Sequence, residues 1–167
     1  MKRKNPIRDA LNRLLFLLAA IILAIFQATI LDYLKIFGVK PDLLLIVAVL
    51  ASLAFEFRWA FALSVFAGFL KDAFGVSHFG INMFLFGLWS FLILRLSREV
   101  TLDNNIVRAG LIFIIALLHN LVIALYFIYS GNQIPVGILL RIVFLTPLYT
   151  VAVLPLLLWI EARALIF

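Results

Sequence analysis

The sequence predicts an all-α integral membrane protein, a bundle of six membrane-spanning helices. Apolar runs follow one another from Leu14 to Ile160, with only short clusters of charge between them. Of the 167 residues, 66% are hydrophobic and 13% are charged, and the mean hydropathy is +1.23, far from the values of soluble domains. Since a helix needs roughly 20 residues to cross a bilayer, the chain can supply about six spans with short loops and no soluble domain.

The apolar runs define one membrane domain. A basic segment, 1–13, precedes it, the domain covers 14–160, and 161–167 form a short tail. The predicted spans are 14–34, 41–56, 58–74, 79–94, 109–129 and 136–160. The first run is long and has no convincing small-residue cleavage site before Asp32, so we interpret it as a retained span rather than a signal peptide.

Proline and polar residues mark several helix ends. Pro41 and Pro135 stand where the second and sixth helices should begin, which suits proline in a first helical turn. Asp103 or Asn104 can cap the fifth helix. The stretch 131–133 is typical of a tight turn before the sixth helix.

The stretch 43–70 allows two interpretations, because Glu56 and Arg58 interrupt it. One continuous helix would be about 42 Å long, too long for one comfortable crossing, whereas a turn at 56–58 gives two helices. The positive-inside rule favours two helices and six spans. That topology places both termini and these basic residues in the cytoplasm: Lys2, Arg3, Lys4, Arg8, Arg13, Arg58, Arg95, Arg98, Arg108 and Arg163. It leaves only Lys35, Lys40 and Lys71 outside, whereas five spans divide the charges evenly.

Composition excludes several kinds of chemistry. There is no cysteine for a disulfide or a thiolate, and two histidines are too few for an ordinary transition-metal site. The net charge of +6 comes from residues that flank apolar runs, so we expect membrane lipids, and not nucleic acid, as partners. Because no nucleophile–base pair or phosphate loop is found and the buried polar residues are not expected to converge, we predict no enzyme, no cofactor and no metal.

Two stripes of small residues at four-residue spacing occur in the first and third spans. They are Ala20, Ala24 and Ala28, and Ala60, Ser64 and Gly68. Small residues let membrane helices approach closely, either inside the bundle or against a partner's helix. We expect one of the two stripes to bind a partner.

Three polar residues at membrane depth are further candidates: Asp72, His119 and Arg141. Asp72 follows the second stripe in a glycine-rich turn, either as a solvated charge beside Lys71 or turned inward onto backbone amides or a basic partner. His119 is interpreted as an interhelical hydrogen-bonding group rather than a proton relay. Arg141 can reach the outer surface or pair with Asp42 or Asp72.

The central stretch resembles the rod shape-determining protein MreD family. The resemblance rests on Lys40 to Leu44 at the start of the second helix, on Gly68 to Asp72, and on Gly80, Ile81 and Asn82. The specific part covers Gly38 to Asn82, and the rest of the chain matches in length, spans and basic N-terminus. Asp42, Gly80 and Asn82 are site candidates because they belong to these motifs.

The resemblance implies a non-enzymatic inner-membrane component of the bacterial cell-elongation complex. Its implied partner is MreC, with RodA and its transpeptidase nearby and MreB involved indirectly, and its implied role is to help regulate lateral peptidoglycan synthesis and rod shape. The family's fold resembles the substrate-binding component of energy-coupling-factor vitamin transporters, which is the alternative function. The short stretch Ser130 to Pro135 speaks against transport, because it cannot form a lid.

Overall fold

The computed structural model describes residues 6–31, 33–75, 79–97, 104–131 and 134–164. Over these residues the chain forms six α-helices and no strand. They are α1 (Pro6–Thr29), α2 (Leu43–Ala54), α3 (Phe57–Phe74), α4 (Ile81–Leu96), α5 (Asn105–Tyr129) and α6 (Val136–Ala164). The predicted all-α class is therefore confirmed. Asp32, Asp103, Arg98 and the basic residues at 2–4 lie outside the described residues.

Among the residues that the structure describes, three helices contain segments long and apolar enough to cross a membrane: Asp9–Thr29, Asn105–Tyr129 and Val136–Trp159. Helix α1 begins at Pro6, before the predicted span, because charged residues can extend a helix beyond the apolar run that marks its lipid-exposed part. Its Arg13 guanidinium lies 4.4 Å from the centre of the Trp59 ring on α3. Asn104 caps α5 by accepting a hydrogen bond from the Ile106 N–H at 2.9 Å.

The stretch 43–70 forms two helices joined by a tight turn. Phe55 and Glu56 have extended backbone conformations, which end α2 and begin α3. The Glu56 carbonyl accepts the first backbone hydrogen bonds of α3, from Trp59 and Ala60 at 3.0 and 2.9 Å. Of the two interpretations of this stretch, the structure has the one with two helices.

Helix α2 forms the centre of the bundle. Every residue from Leu43 to Ser52 is buried, and α1, α3 and α4 pack around it, while α5 and α6 pack mainly on each other. At 1.5 Å per residue its 12 residues span about 18 Å, less than the roughly 30 Å of a bilayer core. Because α2 is buried among other helices, its side chains contact protein rather than lipid.

Both small-residue stripes pack inside the bundle. Ala20, Ala24, Ala60, Ser64 and Gly68 are buried. The Ser64 hydroxyl donates to the Ala48 carbonyl at 3.1 Å and lies 3.3 Å from the Ser52 hydroxyl. Packing within the chain therefore accounts for five of the six stripe residues, while Ala28 is only partly buried, and the expectation that one stripe binds a partner's helix stays a prediction.

Helices α3 and α4 approach each other closely at Gly68. A Cβ atom added to Gly68 would lie 2.6 Å from both the Asn82 carbonyl oxygen and the Met83 Cα atom. Real Cβ atoms essentially never come so close to another atom. Glycine at position 68 is therefore required by the contact between the two backbones.

Candidate functional site

Three charged or titratable side chains from separate parts of the sequence meet in the bundle. Asp42 precedes α2, Lys71 lies in the last turn of α3, and His119 lies in the middle of α5. The Lys71 ammonium group forms an ion pair with Asp42 and lies 3.0 Å from His119 Nε2. Asp42 and His119 are buried, and the Lys71 side chain is 20% exposed. The expectation that the buried polar residues do not converge is therefore wrong.

The His119 ring lies between two hydrogen-bond donors. The Trp89 indole N–H donates to Nδ1 at 3.3 Å, and Lys71 faces Nε2. An indole N–H and an ammonium group can only donate, while a neutral imidazole offers one acceptor nitrogen at a time. A neutral His119 can therefore accept from one of the two at a time, and either hydrogen bond joins α5 to a neighbouring helix, α3 or α4.

Side chains from both ends of the chain bind the start of α2. The Gln27 side-chain oxygen on α1 accepts hydrogen bonds from the Leu43 and Leu44 N–H groups at 2.9 and 3.2 Å. The Asp42 carboxylate accepts from the Leu45 N–H at 3.1 Å, and the Asp42 N–H donates to the Thr150 hydroxyl on α6 at 2.9 Å. These bonds satisfy the N–H groups that every helix leaves unpaired in its first turn.

Asp72 performs the equivalent role at the start of α4. One carboxylate oxygen accepts from the Gly80 and Met83 N–H groups at 2.9 and 3.0 Å. The other accepts from the backbone and side-chain nitrogens of Asn82 at 3.2 and 2.7 Å. Gly80 has a φ of +101°, a conformation that favours glycine. The structure thus has the inward-turned Asp72, held by backbone amides.

A cavity of about 460 Å³ adjoins the Asp42–Lys71–His119 group. Its wall includes Gln27 and Ala28 from α1, the connection after α1, and residues from α3, α5 and α6. Arg141 is exposed on α6. The Asp42 carboxylate, one of the two partners that the sequence offers Arg141, is paired with Lys71. The sequence interpretation missed Gln27, Trp89 and Thr150 as partners of the site.

One comparison with known proteins identifies a family. The model of the rod shape-determining protein MreD matches residues 8–166, essentially the whole chain. The chain belongs to the MreD family. Neither the curated proteins nor the solved structures gave a match, so the predicted likeness to a vitamin-transporter component stays a prediction.

Membership of the MreD family agrees with the structure. The family takes part in determining rod shape, and the three long apolar helices are those of a membrane protein. Of the motif residues that suggested the family, Asp42 caps α2, and Asp72 accepts hydrogen bonds from Asn82 in the first turn of α4. In this chain the motif therefore serves to fix the first turns of α2 and α4.

Proposed function

We propose that this MreD-family protein is a non-enzymatic scaffold of the bacterial inner membrane that binds MreC and helps regulate lateral peptidoglycan synthesis. The observation that carries the proposal is the family match over 8–166. The architecture supports it, because helices take up most of the described chain and the longest connection between them, 30–42, is too short for a catalytic domain.

Exposed apolar helix faces supply the contact area for a partner's membrane helix. On α1, the residues Leu18, Ile22 and Ile25 are 46%, 64% and 49% exposed. Other exposed apolar residues lie on α4, α5 and α6, including Phe84, Ile114 and Leu148. Lipid or a partner must cover such surfaces, and the cysteine-free sequence makes them easy to map.

Single cysteines at exposed positions 22, 84, 114 and 148 test the proposal by cross-linking to cysteines along the MreC membrane helix. We expect adducts from one helix face only, together with co-purification of MreC. Ala60→Cys, at a buried position, is the matched negative control. Failure to co-purify MreC, with no adduct from any face, would contradict MreC binding.

The convergence of Asp42, Lys71 and His119 makes the absence of catalysis worth testing. If these residues serve only structure, His119→Gln should lower the amount of folded protein and the fraction of rod-shaped cells in parallel. Full folded levels with complete loss of rod shape would count against a purely structural role. The alternative, a transporter component, would require a vitamin bound stoichiometrically to the purified chain.

A further inference from the structure

The cavity of about 460 Å³ beside the Asp42–Lys71–His119 group has polar side chains from five parts of the chain in its lining. They include Gln27, Asp42, Lys71, His119, Asn120 and Thr146. A buried water needs only about 10–15 Å³ of such space and two to four polar partners. The cavity therefore has the room and the hydrogen-bonding groups for a cluster of waters.

The inner end of the cavity lies near the middle of the two long helices, α5 and α6. Asp42 donates to Thr150, the central residue of α6 (Val136–Ala164), and His119 lies in the middle of α5. The exposed residues Lys35 and Gly75 also line the cavity, so it connects the surface of the chain with this inner group. Since α5 and α6 contain segments long enough to cross a membrane, the cavity reaches into the membrane interior.

The connection 30–42 provides independent support for water in the cavity. Its described residues form turns and a bridge between Ile36 and Val39 instead of a helix. Its last residues, from Val39 to Asp42, line the cavity and reach the depth of Thr150. Lipid cannot satisfy the polar groups of non-helical backbone, which at membrane depth is tolerated only where it is buried in protein or lines a water-filled cavity. For the part of this connection that lines the cavity, water meets that requirement.

The exposure of Lys71 agrees with a hydrated cavity. Its side chain is 20% exposed and lines the cavity, although its two partners, Asp42 and His119, are buried. Ionisable side chains inside a membrane protein almost always face the bundle interior or a water-filled cavity, because exposing a charge to lipid is costly. Water on one side of Lys71 and the Asp42 carboxylate on the other would both stabilise its charge.

A mainly apolar layer closes the cavity towards the other end of the bundle. Ile115 lies one turn before His119 on α5, and together with Leu45 and Ala48 of α2 it lines a recess that leaves no room for a water molecule. We propose that the cavity is a water-filled vestibule, which admits water and small hydrophilic solutes as far as the Asp42–Lys71–His119 group and ends at this layer. The apolar barrier along the bundle is then the length of α2, about 18 Å, instead of the roughly 30 Å of a bilayer core.

Single cysteines in the cysteine-free chain test access to the vestibule. Thr146→Cys places a thiol in the lining on α6. Val143→Cys, about one turn earlier, is its matched control, because the two residues are 9% and 7% exposed but Val143 is not part of the lining. On α5, Asn120→Cys in the lining and Ala116→Cys outside it form a second pair of buried positions one turn apart.

Each full-length variant is placed in lipid nanodiscs, which leave both membrane faces open to the reagent, and size-exclusion chromatography checks that it is folded. Labelling by a cationic methanethiosulfonate, an anionic methanethiosulfonate and the membrane-soluble N-ethylmaleimide is then followed by mass spectrometry. We expect both charged reagents to label positions 120 and 146 at least about tenfold faster than positions 116 and 143. The reason is that the thiolate is the reacting form, and a thiol in apolar surroundings rarely ionises.

A ratio near one between lining and control positions, with either charged reagent, would overturn the proposal whether labelling is fast or slow. Labelling of positions 120 and 146 by N-ethylmaleimide alone would overturn it as well, because lipid would then fill the cavity. If one pair does not fold, the other pair decides. These labelling rates do not depend on MreC, so the vestibule and MreC binding are tested independently.

Discussion

Gly68→Ala should force α3 and α4 apart. The new Cβ would lie 2.6 Å from the Asn82 carbonyl oxygen and from Met83 Cα, and neither backbone atom can move aside as a side-chain end could. Reaching the ordinary contact distance of 3.4 Å requires a shift of at least about 0.8 Å. The same shift would strain the Asp72 hydrogen bonds to α4, since Asp72 lies one helical turn beyond Gly68.

Two effects contribute to the expected loss of stability. Overpacking of a tight contact costs about 1–3 kcal/mol, and a weakened hydrogen bond to a charged group costs up to about 1.5–3 kcal/mol. The Asp72 bonds to the N–H groups of Asn82 and Met83 are already 3.2 and 3.0 Å long, so a further shift brings them near the limit of hydrogen bonding. We expect a total loss of about 3 kcal/mol or more, which lowers the unfolding temperature by about 6–12 °C for a chain of this length.

The unfolding temperature of the protein in detergent, with size-exclusion chromatography as the readout of folded protein, measures this loss. Gly110→Ala is the matched control, because the exposed Gly110 of α5 has open space at its Cβ position and alanine favours the helix by about 0.5–1 kcal/mol. Gly87→Ala should fall between them, since its Cβ would meet movable side-chain atoms of Val65 and Phe61 at 3.1 and 3.2 Å. Equal unfolding temperatures for the position 68 and position 110 variants would refute the reasoning.

Three further predictions concern the polar residues and the topology. Asp72→Ala should cost about 1–3 kcal/mol of stability and reduce the amount of folded protein in the membrane. Asp72→Asn should retain much of the folded protein, because asparagine keeps one acceptor oxygen. Wild-type levels of folded protein for both variants would mean that Asp72 is only a solvated charge. Lys71→Met should cost about 3–5 kcal/mol of stability, because it leaves Asp42 buried without a counter-charge. Adding Asp42→Asn to this variant should restore part of the lost stability. A double variant that loses as much stability as the two single variants together would contradict a coupled pair. Cysteines at Ser130, Asn104 and Phe57 should react with an impermeant reagent from outside only at position 130, and labelling of position 104 from outside would reject six spans with cytoplasmic termini.

Hydropathy and turn residues were sufficient to predict the helices. The interruption at Glu56 corresponds to a real helix end, and Asn104 caps α5 as one of its two predicted capping residues. Such features are local, because charge and side-chain capping act within one or two turns. Helix α1 begins at Pro6, eight residues before the predicted span, since hydropathy detects the apolar run and not its charged helical extension.

The composition of the site could not be predicted from local pattern. Lys71 is 29 residues from Asp42 and 48 from His119, and their meeting depends on how α2, α3 and α5 pack. The sequence offers Arg141 as a possible partner of Asp42 or Asp72, whereas in the structure Asp42 pairs with Lys71. The role of Gln27 could not be predicted, because a glutamine that caps a different helix has no signature in sequence.

The hydrogen bond from the Asp42 N–H to the Thr150 hydroxyl joins residues 108 positions apart. Because a chain is synthesised from its N-terminus, α2 emerges long before Thr150 exists. Until α6 arrives, the Asp42 N–H must remain open to water or bind something else. Completion of α6 therefore closes the start of the central helix, and a chain that ends before α6 leaves this N–H group without its partner from the mature bundle.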